Sequence, residues 1–206
     1  MYVLLIFKIL TIHFFAVASP GPDFLMVTKN ALNYNRKTGV WTAIGVGTGI
    51  AIHVFYGIGG ISILIAKNVA IYNFLKYAGA IYLIYIGVKS LGKVKKRAII
   101  QKENVTKHPI STMSAFKMGF WTNVLNPKAT LFFLSIFSTM IPVGTPSYIL
   151  IIIGILLILN TGLWFILVSF LFTQSKVQLL YYKYEHLMNV FFALALFGLA
   201  IKILFF

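Results

Sequence analysis

"SPGPDF", residues 19–24, interrupts the first apolar run of the chain with two prolines, a glycine and one of only three acidic residues in 206. The surroundings decide what such an interruption means. Hydrophobic residues make up 60% of the chain and charged residues 10%, with a mean hydropathy of +0.92, which is the composition of a membrane protein and not of a soluble domain. Proline removes a backbone donor and clashes with the preceding helical turn. In a bilayer no water satisfies the groups so released, so a helix breaks there only where the irregular backbone faces protein or a cavity.

Apolar segments run from Tyr2 to Val27, Val40 to Ala66, Ala70 to Val88, Ala115 to Ile141, Tyr148 to Phe172 and Leu187 to Phe206. Each can cross a hydrocarbon core about 30 Å thick, which takes roughly 20 residues. The expected fold is all-α: six transmembrane helices in one domain, with a first repeat over 1–90, a basic linker over 91–114 and a second repeat over 115–206. The small-residue run "AVAS" at Ala16 to Ser19 resembles a signal-peptide cleavage site, but no basic residue precedes Lys8, so the segment is read as a retained helix.

Of the 18 basic residues, thirteen fall in the loops or loop-flanking positions that a six-span arrangement places on one side: Lys29, Arg36, Lys37, Lys89, Lys93, Lys95, Lys96, Arg97, Lys102, Lys107, Lys117, Lys176 and Lys183. That side is expected to be cytoplasmic, which puts both termini in the periplasm of a bacterial inner membrane.

A second interruption mirrors the first. In "NVLNPKATLFF", residues 123–133, Asn126, Pro127 and Lys128 lie about as deep in the fourth segment as Ser19 to Asp23 lie in the first. Two halves with three spans each cross the membrane in opposite senses, the inverted repeat common in secondary transporters. Each proline opens a new helix N-terminus, with Ser19 or Asn126 expected as the N-cap and Pro20 or Pro127 at the first helical position, an arrangement suited to an anion such as a carboxylate. A charge near the bilayer centre costs about 2.5 to 3.5 kcal/mol even on permissive scales. Asp23 and Lys128 are therefore expected to face an interior cavity or each other. As a functional pair, Asp23 takes an ammonium group or a proton and Lys128 takes a carboxylate; as a structural pair they form a buried salt bridge.

"SPGPDF" followed about 100 residues later by "NPKATLFF" resembles the LysE/RhtB family of amino-acid exporters over the whole chain, nearest its threonine and homoserine exporter branch. The resemblance implies export of amino acids from a bacterial cytoplasm by proton antiport, with the two proline motifs lining the path. It falls on Pro20, Gly21, Pro22 and Asp23, and on Asn126, Pro127, Lys128 and Ala129; the expected substrate-binding residues are Ser19, Pro20, Gly21, Pro22, Asp23, Asn126, Pro127 and Lys128.

His53 and Asn160 are further candidates for a pathway, while His13, Asn123, Asn160 and Thr161 are expected to make interhelical hydrogen bonds in preference to touching substrate. Gly45 and Gly49, in "GVGTGIAIH", have the small-xxx-small spacing of close helix packing. The histidines have no metal-ligand spacing and no cysteine is present, so neither a metal nor another cofactor is expected. Asp23 alone does not make an intramembrane aspartyl protease, and "GVGTGI" is neither a dinucleotide fingerprint nor a phosphate loop, so no enzyme is expected. Despite a net charge of +15 there is no soluble basic module for nucleic acid. The expected partners are a small amino-acid substrate and the lipid bilayer, with a homodimer left open. The competing class is a non-transporting structural or channel-like membrane protein whose prolines are packing kinks.

Overall fold

The computed structural model describes residues 2–67, 77–78, 80–81, 83–85, 87–88, 91, 110–142 and 144–205. About half of the third apolar segment and most of the basic linker lie outside the described residues, and with them the six-span count and the paired repeats. Among the described residues seven helices stand out: α1 Tyr2–Ala18, α2 Pro22–Asn33, α3 Arg36–Lys67, α4 Thr112–Val124, α5 Pro127–Met140, α6 Ser147–Leu171 and α7 Ser175–Phe205. Two stretches, Arg36–Gly59 within α3 and the whole of α6, are each long and apolar enough to cross a membrane, and α1 with α2, bent by 57° at their junction, makes a third if taken as one span.

The first and fourth apolar segments are thus each two helices, α1 with α2 and α4 with α5. The last segment differs from expectation. Its helix begins at Ser175 and not at Leu187, because residues 175–186 contain neither glycine nor proline to stop it. The turn before it is confined to Phe172–Gln174.

The central element is α3, which packs against α2, α4, α5 and α6. Its approach to α4 is a backbone contact: a Cβ on Gly45 would collide with the carbonyl of Phe116, and one on Gly119 with the carbonyl of Thr42. In lipid, where apolar burial does not drive helices together, such close approach supplies the packing. On α6, Tyr148, Ile152, Ile155, Leu159, Leu163 and Leu167 are exposed at helical spacing, whereas Ile149, Ile153, Leu157, Thr161, Phe165 and Val168 are buried. The first stripe is dressed for lipid and the second faces the bundle.

Two buried clusters fill the interior. One gathers Ile9, Ala16, Ile50, Phe132, Phe133 and Ile153, among others; the second gathers Phe24, Val27, Val46, Phe165, Val168 and Phe172. Polar groups collect at the seam between them.

Candidate functional site

The local chemistry of the two breaks builds the site. Ser19 N–H still donates to the Phe15 carbonyl at 3.1 Å, the last bond of α1; Pro20 then has no N–H to give. A residue that precedes proline is driven out of the α region, which holds for both Ser19 and Gly21. Accordingly Gly21 is extended (φ −166°, ψ −172°) and caps α2 with Pro22 at its first turn. This corrects the sequence expectation: Gly21 and Pro22, not Ser19 and Pro20, open the second helix, because the paired prolines delay its restart by two residues. At the other break the expected roles hold. Asn126 is the N-cap of α5, its Oδ1 accepting from Lys128 N–H at 3.0 Å, with Pro127 in the first turn.

Asp23, in the first turn of α2, is favoured there by the helix dipole. Its Oδ2 accepts from Asn123 Nδ2 at 2.9 Å and from Asn126 Nδ2 at 3.0 Å. Asn126 therefore uses both ends of its amide, one to cap α5 and one to hold the acid of α2. Lys128 reaches the opposite way. Its Nζ donates to the Ala16 carbonyl at 3.1 Å, the Ser19 carbonyl at 3.2 Å and Ser19 Oγ at 3.1 Å, taking up carbonyls released at the end of α1. The two charges also interact electrostatically. Asp23 Oδ1 is buried and has no hydrogen-bond partner among the described residues.

These groups share a cavity of about 40 Å³. Ser19, Gly21, Asp23, Asn123, Asn126 and Lys128 form its polar side; Ile50, Phe132, Phe133 and Phe165 contribute apolar walls drawn from both clusters. Pro20 and Pro22, expected to bind substrate, are outside the residues that line it. They shape the backbone that carries Asp23.

The two pathway candidates are also outside the lining. His53 sits behind Asn123, with Nε2 3.0 Å from the Asn123 carbonyl, Nδ1 against Tyr56 OH, and its ring stacked on Phe133 at 5.5 Å. Asn160 donates to the Leu10 carbonyl at 3.5 Å, an interhelical contact. Conversely, three residues read as suited to interhelical bonds do line the cavity: His13, Asn123 and Thr161. Asn123 had only its place three residues before Asn126 as a signal, because α4 ends at Val124 and Asn126 caps the next helix, so helical spacing does not relate the two. His13 and Thr161, from different helices, had none.

A family model described as LysE type translocator matches residues 14–205. The chain is 30% identical over 180 residues to the threonine efflux protein of Escherichia coli (strain K12), covering 85% of both chains. It is 31% identical over 192 residues to the uncharacterized membrane protein YrhP of Bacillus subtilis (strain 168), covering 90% of this chain and 91% of that one. With the leucine efflux protein of Salmonella choleraesuis (strain SC-B67) it shares 35% over 133 residues, 64% of this chain and 61% of the relative. No solved structure matches the chain. The chain belongs to the LysE type translocator family and is an integral membrane protein.

Proposed function

We propose that the chain is a secondary transporter that exports amino acids from a bacterial cytoplasm in exchange for protons, with the zwitterionic part of the cargo held between Asp23 and Lys128. One observation carries this reading: opposite charges from two helix breaks line a single cavity inside an apolar bundle, and the acid keeps one buried oxygen, Oδ1, without a hydrogen-bond partner among the described residues. Charges at such a depth mark substrate or ion pathways. A family whose members include threonine and leucine efflux proteins supports the same reading.

In this scheme the cargo ammonium takes Asp23 Oδ1 while the Asn123 and Asn126 amides continue to hold Oδ2. The cargo carboxylate draws Lys128 Nζ away from the Ala16 and Ser19 oxygens. The first gives Oδ1 a partner that it lacks among the described residues; the second replaces the ammonium's bonds to neutral oxygens with a bond to a charged one, the stronger kind. The cavity takes on the order of three waters, fewer atoms than the five non-hydrogen atoms of glycine. Loading therefore requires the half-helices to part, as alternating access demands. On the outer side a proton neutralises the Asp23 carboxylate and releases the ammonium; on the inner side the proton leaves and the carboxylate is ready again. One proton enters for each zwitterion that leaves. The basic loops face the cytoplasm and both termini the periplasm in this reading.

The test is efflux of labelled amino acids from proteoliposomes loaded with the protein's candidate cargoes. Export accelerated by an inward proton gradient is expected. Absence of any protein-dependent amino-acid movement would leave a channel-like or structural role.

A further inference from the structure

Besides the charged groups, the cavity wall carries a second polar feature that the exchange above does not use. His13 of α1 and Thr161 of α6 both line it, and each is 1% exposed. His13 Nε2 lies 3.5 Å from Thr161 Oγ1. Its ring is set edge-on to Phe133 at 5.5 Å and tilted against Phe132 at 6.0 Å, so two aromatic rings pack against the imidazole. His13 Nδ1 is buried with no hydrogen-bond partner among the described residues. A buried nitrogen left in this condition costs free energy unless something polar meets it.

From these observations we infer that His13, oriented by Thr161, is a specificity-determining residue that hydrogen-bonds a hydroxyl on the cargo side chain, so that the cavity selects small hydroxyl amino acids over aliphatic ones of equal size. Position supports the assignment. Lys128 holds the Ala16 carbonyl, and His13 is three residues earlier on the same helix, about 5 Å along its axis, which is within the reach of a short side chain whose carboxylate sits at Lys128. Chemistry supports it too. A hydroxyl both donates and accepts, so it satisfies Nδ1 in either imidazole tautomer, whereas a methyl group leaves the nitrogen unpaired. Sites built to pair a substrate hydroxyl reject the analogue without it far better than apolar pockets reject an extra methylene.

The inference rests on the amino-acid-exporter reading, and threonine and valine, which are near-isosteres differing by hydroxyl for methyl, test the two separately. In proteoliposomes the unaltered protein is expected to export threonine over valine by about tenfold or more. Thr161→Val, a near-isosteric change, and His13→Leu are expected to bring the ratio close to one by lowering threonine export more than valine export. His13→Gln, which keeps an amide at the site, is expected to restore part of the preference. If valine and threonine move equally well in the unaltered protein, or if Thr161→Val leaves the ratio intact, His13 meets only a structural water and the inference falls while the exporter reading stands. Loss of all transport in both His13 variants, with normal insertion, would make His13 a proton carrier and overturn selectivity. Movement of no amino acid by the unaltered protein overturns both readings.

Discussion

Asp23 and Lys128 each reach into the other's helix break: the acid of α2 is held by Asn123 and Asn126 before α5, and the lysine of α5 is held by Ala16 and Ser19 at the end of α1. The bundle is thereby stitched twice at one level, and each stitch is polar in a place where lipid surrounds the outside. Such a crossing ties the two helix breaks together through side-chain hydrogen bonds.

Asp23→Asn is expected to insert normally and lose export by at least about tenfold, since an amide neither titrates nor carries charge. Lys128→Met is expected to retain transport at high cargo concentration, because the Asp23 anchor persists. If the pair is only structural, neutralising both residues together restores abundance and activity. Efflux rate per inserted molecule, for both single variants and the double, decides; a fully active double variant would remove both residues from the substrate site.

Asn126 has two duties that substitution separates. Asn126→Ser keeps an N-cap oxygen for α5 but removes the amide from Asp23, so thermal stability in detergent should change by less than about 1 kcal/mol while export falls severalfold. Asn126→Ala should lose both. Equal behaviour of the two variants would show that the cap contributes nothing and that the amide on Asp23 is what matters.

Gly49 faces the Asn123 side chain so closely that an added Cβ would press on its Oδ1 and Cβ. Gly49→Ala is therefore expected to displace Asn123 and weaken its hold on Asp23, reducing export. Gly45→Ala meets the Phe116 backbone, which cannot move aside, and should destabilise the protein by about 1 to 3 kcal/mol. Among the described residues nothing lies within 4 Å of a Cβ added at Gly59, so Gly59→Ala should be neutral or slightly stabilising. Melting temperatures and efflux rates of the three variants, taken side by side, check the ranking.

The chain has no cysteine, which makes orientation directly measurable. Lys37, Lys176 and Ser147 are exposed. Cysteines at Lys37 and Lys176 should resist an impermeant thiol reagent applied to intact cells, and one at Ser147 should react. The opposite pattern would reverse the proposed orientation.

The sequence by itself determined the two helix breaks, the charged residue beside each and the membrane character of the chain. All three follow from local chemistry. Proline lacks a donor whatever surrounds it, and a run of apolar residues seeks lipid or protein interior alike. Facing is a different matter. On a helix that is apolar nearly all round, lipid and core exact the same composition, so the hydrophobic pattern does not tell an inward residue from an outward one. Only the tertiary structure decided that His13 and Thr161 line the cavity while His53 and Asn160 do not. Likewise, only the crossing of the two breaks turned Ser19 from an expected cap of α2 into a ligand of Lys128, because its partner lies 109 residues away and no local rule connects them.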